Sequence, residues 1–209
     1  RFIYKGKTAH AASCPEKGIN ALNSVIQLFN GIDALRQHVT PDVKMHGIIT
    51  KGGVAANIVP DEAVADFYFR ASTKERVTEV IEKVKKIAEG AALMTGATLE
   101  MERYELPYDD LKTNEKLSEM FNENLRALGI TDINPGKATG GSSDIGNVSH
   151  VAPTIHPYIG ITDCPMIGHS VEMAKATTTK KAHDRLLIAA LAMAYTGYDV
   201  IVRNESLRK

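Results

Sequence analysis

The order in which two hydrophobic periods alternate over the first hundred residues is what most limits how this chain can fold. A period of two around Phe2 and Tyr4 predicts a strand over 1–8 that ends near a glycine. Ile19, Leu22, Val25, Ile26 and Phe29 then recur at three- and four-residue steps, which predicts a helix from Pro15 to about Gln37 with the proline in its first turn. A second strand over 43–50 stops at the turn signal Gly52-Gly53. A third covers 62–71, where Val64, Phe67 and Phe69 compete with Ala65 and Tyr68 for the buried face. Ser72 with Glu75 three residues on reads as a capping box opening a helix marked by Val77, Val80, Ile81, Val84 and Ile87. A fourth strand over 98–104 closes the series. Strand, helix, strand, strand, helix, strand is the ferredoxin-like split βαβ order. Four strands with two helices on one face make a self-sufficient two-layer domain.

Pro107 interrupts this pattern and divides the chain into a first domain, 1–107, and a second segment, 108–209. The second segment reads as an amphipathic helix over 113–128 capped by Gly129, a polar glycine-rich stretch over 134–147, a strand over 151–161 and an apolar helix over 182–195. One helix, one strand and another helix leave at least one face of an α/β layer bare. The segment is therefore expected to be half of an α/β domain whose other half precedes Arg1, with an apolar stripe exposed on its last helix. The opening Arg1-Phe2-Ile3-Tyr4, already strand-like, fits the later part of a longer protein.

Lysine plus arginine total 25 and are matched by 25 aspartate plus glutamate, so the basic surplus that phosphate binding requires is missing and nucleic acid is not the expected partner. No window approaches the roughly 18 uninterrupted apolar residues of a membrane span, so no membrane partner is expected either. Cys14 and Cys164 lie far apart with no CxxC pairing, which implies neither a disulfide framework nor a cysteine zinc site and fits a reducing, cytoplasmic location.

Four clusters carry residues suited to chemistry. In Gly6-Lys7-Thr8-Ala9-His10, a histidine where a strand exits into a loop can support an oxyanion, or can simply end a strand at the surface. In Gly52 to Asp61, Asn57 can offer its amide to a ligand, or can be a turn residue. In Thr139-Gly140-Gly141-Ser142-Ser143-Asp144, the backbone amides of a glycine-rich turn can bind a carboxylate or phosphate, or the stretch can be a loop with Asp144 capping a helix. It is not a P-loop, because GxxxxGK[ST] is absent. In Gly168-His169-Ser170-Val171-Glu172, the histidine can ligate zinc with Glu172 or Ser170 orienting it, or can be structural. Histidines 38, 46, 150, 156 and 183 have no partner at a telling spacing.

In this order, GKTAHAA, then AANIVPDEA and FYFRA, then GGSSDIGNVS, then GHSVEM, the chain resembles the dinuclear zinc amidohydrolases, a family that includes aminoacylases, glutamate carboxypeptidases and aminobenzoyl-glutamate hydrolases. The stretches KIAEGAALMT and SDIGNVS are most similar to the aminobenzoyl-glutamate hydrolase and dipeptide-cleaving branch. The resemblance implies a lid domain over 1–107 that forms a homodimer, followed by the returning part of an α/β catalytic domain. It implies hydrolysis of an amide bond in an N-acyl amino acid, small dipeptide or aminobenzoyl-glutamate-like substrate by water activated on two zinc or other divalent ions. His10 matches the family histidine that reaches the partner subunit's site and supports the oxyanion, Asn57 a lid asparagine contacting substrate, and Arg70 a lid arginine holding a substrate carboxylate. His169 matches the last metal ligand, and Gly141, Ser142, Ser143 and Asp144 the loop lining the substrate pocket. The family's upstream HxD ligand, bridging aspartate and Glu-Glu pair have no match here, so this chain alone is expected to be inactive. Two other readings compete: a non-catalytic dimerisation or ligand-binding module, and a regulatory sensor built on the ferredoxin-like domain.

Overall fold

The computed structural model describes residues 1–135 and 141–203. It divides into two compact units, Arg1–Pro107 and Tyr108–Lys209.

The first unit holds strands β1 (Phe2–Lys5), β2 (Lys44–Lys51), β3 (Glu62–Arg70) and β4 (Thr98–Met101), with helices α1 (Ala21–Leu35) and α2 (Lys74–Thr95). The strands pair antiparallel in the order β2-β3-β1-β4, and the expected ferredoxin-like arrangement is what forms. On β3 the competition for the inner face is won by Ala63, Ala65 and Phe67, which are buried with Phe69 packed beside them, while Tyr68 is exposed. Tyr4, Val25, Leu28, Ile32, Met45 and Val84 fill the space between sheet and helices. The Tyr4 hydroxyl donates to the Ala88 carbonyl at 3.1 Å, so this buried phenol leaves no polar atom unpaired. Gly47 is demanded by packing, since a Cβ there would sit 2.4 Å from the Phe67 ring.

Two helix starts differ from those the sequence suggests. α1 begins at Ala21, with the Asn20 side chain accepting from the Asn23 amide, and Pro15–Lys17 forms only a single 3₁₀ turn. Ile19 is drawn into an antiparallel bridge with Lys7, so the backbone ahead of Ala21 cannot coil. α2 is capped by Thr73, not Ser72, and Arg76 then occupies the position a capping-box glutamate would need. The Ser72 amide and hydroxyl instead donate to the Asp42 carboxylate at 3.0 and 2.8 Å, charge-assisted bonds that outcompete a neutral cap.

In the second unit α3 (Glu115–Ala127), capped by the Asn114 side chain, packs on α6 (Lys180–Val202), and the short helices α4 (Ile145–Ser149) and α5 (Val171–Ala176) lie between them in sequence. Phe121 and Leu125 meet Ala192 with Ile188 alongside, and the Asn124 amide donates to Thr196 Oγ1 and Asp199 Oδ2. The strand expected over 151–161 is absent: its one ladder contact among the described residues is an isolated parallel bridge between Thr113 and Thr154. Pro153 and Pro157 each remove a backbone donor from that run, and no described neighbour extends the pairing. α6 exposes Leu187, Leu191, Tyr198 and Ile201 on a face other than the one meeting α3, the apolar stripe its sequence anticipates. By length and composition α6 is long and apolar enough to cross a membrane.

Asp42 links the start of β2 to the start of α2. Hydrogen bonds from Thr40, from the Ser72 amide and hydroxyl, and from Arg76 hold its carboxyl well below the usual carboxylate range. A group depressed in the fold stabilises it above the unfolded-state value of about 4, and that contribution is lost as pH falls through the folded value. Asp42→Asn should therefore destabilise the protein at neutral pH by a margin that shrinks steadily below about pH 4. Denaturant titration across pH measures this, and a margin that stays constant into acid contradicts the role.

Candidate functional site

In the first unit the candidates sit where two loops are zipped together. The chain leaving β1 pairs with the segment entering α1, through Lys7 and Ile19 amides at 2.9 Å from each other's carbonyls. It also pairs with the segment entering β3: Gly6 N donates to Asp61 O at 2.7 Å, Val59 N to Ala9 O at 2.9 Å, and Ala11 N to Asn57 O at 3.0 Å. Gly6 is required for this, because a Cβ would lie 2.0 Å from the Ile19 carbonyl oxygen. His10 is bridged to Ile58, and His10 and Asn57, 47 positions apart by number, become neighbours on exposed backbone.

The His10 ring is oriented by its own turn. Nδ1 accepts from the Ala12 and Ser13 amides, both at 3.2 Å, while the His10 carbonyl accepts from Ser13 and Cys14. A neutral imidazole that accepts at Nδ1 carries its proton on Nε2, and that N–H projects from an exposed residue as a donor. Beside the pair lies a shallow hollow of about 350 Å³ lined in part by Leu22, Val54, Ala55, Ala56, Ile58 and Pro60.

Arg70 does not join them. It ends β3, its guanidinium 5.8 Å from the Tyr68 ring centroid, whereas the His10 loop departs where Lys5 pairs with Glu62 at the other end of that strand. At about 3.3 Å per residue the length of β3 separates them by roughly 25 Å within one chain.

In the second unit Ser143 and Asp144 lead directly into α4, with Gly146 N donating to Ser143 O and Val148 N to Asp144 O. Asp144 occupies the cap position but its side chain makes no cap bond, so the helix-cap alternative for that residue is not realised. Gly141 and Ser142 are exposed ahead of it, and Thr139 and Gly140 lie outside the described residues. His169 precedes α5 with φ 58°, the one non-glycine residue at positive φ among those described. Such backbone costs about 1–3 kcal/mol and tends to persist where function requires it. Ser170 does not orient the ring: its hydroxyl donates to Ile167 O at 2.8 Å and accepts from Met173 N at 3.1 Å as the α5 cap. No group of three or more His, Cys, Asp or Glu among the described residues is placed to hold a metal ion. His150, without a partner in the sequence pattern, has Nε2 2.9 Å from the Asp110 carbonyl, a contact 40 residues distant that no local spacing could reveal.

Residues 1–94 match the peptidase dimerisation domain family. Over 207 residues the chain is 35% identical to human Xaa-Arg dipeptidase, covering 98% of this chain and 47% of that protein. It is 33% identical over 132 residues to a p-aminobenzoyl-glutamate hydrolase polypeptide of Escherichia coli, covering 63% of this chain and 27% of that protein. The chain belongs to this peptidase and amidohydrolase family. Family structures share its fold: an aminobenzoyl-glutamate utilization protein from Klebsiella pneumoniae superposes with a TM-score of 0.63 at 19% identity, over 95% of this chain and 46% of that one. An aminopeptidase from Bacillus cereus gives 0.61 at 21% identity, over 94% and 50%. The chain thus spans about half the length of the dipeptidases it matches.

The tautomer is directly measurable. Nitrogen NMR of the His10 side chain should show the Nε2–H tautomer; a proton on Nδ1 would turn both backbone contacts repulsive and contradict the geometry.

Proposed function

We propose that this chain is the dimerisation unit and returning catalytic segment of a cytoplasmic amidohydrolase that cleaves an amide bond in an N-acyl amino acid, a small dipeptide or an aminobenzoyl-glutamate-like substrate. The observation that carries the reading is His10: two backbone N–H groups occupy Nδ1 and leave an exposed Nε2–H fixed in direction beside Asn57. When an amide carbonyl becomes tetrahedral its oxygen gains negative charge, and a donor already aimed at that place favours the transition state over the ground state. Asn57 adds an amide that can both donate and accept, suited to orienting the substrate. The dimerisation family of residues 1–94 supports a homodimer in which His10 and Asn57 serve the neighbouring subunit's site. Gly141, Ser142, Ser143 and Asp144 line the pocket in the second unit, and Arg70 holds a substrate carboxylate from the far end of β3.

The described residues do not make up a metal centre. His169, exposed and held at φ 58°, is proposed as one zinc ligand, the others not being among these residues. The competing reading is a dimerisation and ligand-binding module without catalysis. Bound metal separates the two: in the intact enzyme His169→Ala should lower metal content measured by atomic spectroscopy, and unchanged content would remove the ligand assignment.

Loss of an oxyanion donor lowers turnover by about 10²–10³. His10→Ala should therefore depress kcat by that order with a much smaller change in KM, assayed on a dipeptide ending in arginine and on aminobenzoyl-glutamate. Mixed with an enzyme disabled at its metal site, the His10→Ala protein should regain part of the activity through hybrid dimers. Hybrids that form without recovery exclude the shared site.

A further inference from the structure

α4 spans five residues, too few to be stable as an isolated helix. Its Val148 side chain is exposed. What holds it is a set of contacts to segment 109–112. Asp109 N donates to Asn147 Oδ1 at 3.2 Å, Lys112 N donates to Ser149 Oγ at 2.9 Å, and His150 Nε2 lies 2.9 Å from Asp110 O. Ser149 Oγ in turn donates to Gly146 O at 2.6 Å, so the hydroxyl ties the helix to itself and to its neighbour. Gly146 is buried against the same segment, and a Cβ there would lie 1.9 Å from the Asp109 carbonyl oxygen. Only glycine allows the two backbones to meet so closely. The other end of α4 runs straight into loop 141–144, through the Gly146 and Val148 amides bonded to the Ser143 and Asp144 carbonyls.

We propose that Gly146, Asn147 and Ser149 are positioning residues that clasp α4 to segment 109–112 and thereby fix loop 141–144 for substrate binding. The inference rests on the reading of that loop as lining the substrate pocket. Asn147 and Ser149 contribute side-chain acceptors that meet backbone donors, so a lost acceptor frees the loop without opening the α3–α6 core, whose contacts involve none of these residues.

The test uses the full-length active enzyme, with a dipeptide ending in arginine and aminobenzoyl-glutamate as probes. Ser149→Ala removes every hydrogen bond of that hydroxyl, to Lys112 N, Gly146 O and Asp110 O, and should raise KM about tenfold with kcat nearly unchanged, the size of one net hydrogen bond. Ser149→Thr keeps the hydroxyl and should restore KM. Amide hydrogen exchange across 142–145 should quicken in the first variant and return to the parent rate in the second. If Ser149→Ala does not fold, Asn147→Ala, which removes one acceptor, is read by the same criteria. Ser143→Ala separates the proposal from the reading beneath it. A KM raised by Ser143→Ala and untouched by Ser149→Ala overturns the clasp alone. A KM untouched by both overturns the placement of the loop in the pocket and the clasp with it.

Discussion

The first unit depends on a short stretch of backbone pairing outside its sheet. Gly6, without a Cβ, lets the Ile19 carbonyl approach, and the chain beyond β1 then runs between the segments entering α1 and β3. This one arrangement sets three things together. It ends β1 at Lys5, it delays α1 to Ala21 by engaging Ile19, and it brings His10 alongside Ile58 next to Asn57. A side chain at position 6 would cost about the strain of pushing two backbones apart, and the effect would reach all three.

Most of the first unit is legible in the sequence because its periods are long and unambiguous: β3 and α2 bury alternate and every-third-or-fourth residues as their sequences indicate. The departures share a cause. Ser72 looks like a cap from its neighbours, but Asp42, thirty residues away, takes its hydroxyl. Ile19 fits the apolar period of α1, but Lys7 takes its backbone. A one-dimensional pattern shows local preference, and in both places a distant partner makes a better bond. The second unit is less legible for a related reason. The run over 151–161 has strand-like residues, but a strand exists only through its neighbours, and Thr113 is the one that bridges to it among the described residues. α5 is six residues, too short for a period to register.

The candidate site divides in the same way. His10 and Asn57 each stand out only weakly alone, and their pairing across the zipper is what gives them weight. Arg70 carries a suitable charge, but the length of β3 keeps it from them within one chain, so any shared task requires a second copy. For His169 the decisive signal is not in the side chain at all: its left-handed backbone could not be read from residue types, since Gly168 beside it was the more natural candidate for positive φ.

Exposure sets the means by which these residues are held. A side chain that must reach a substrate cannot be fixed by burying it, so its orientation has to come from hydrogen bonds made by its own turn or by an adjoining helix. Each such bond contributes only about 1 kcal/mol net, against about 3 kcal/mol for a core residue such as Leu28 or Ile32. Two amides on His10 Nδ1 therefore add little to folding stability yet decide which way Nε2 points. The Asn147 and Ser149 contacts stand in the same relation to the loop ahead of α4. In each unit the apolar core supplies the stability and a few polar contacts at its margin supply the direction, which lets the margin change in geometry while the core remains folded.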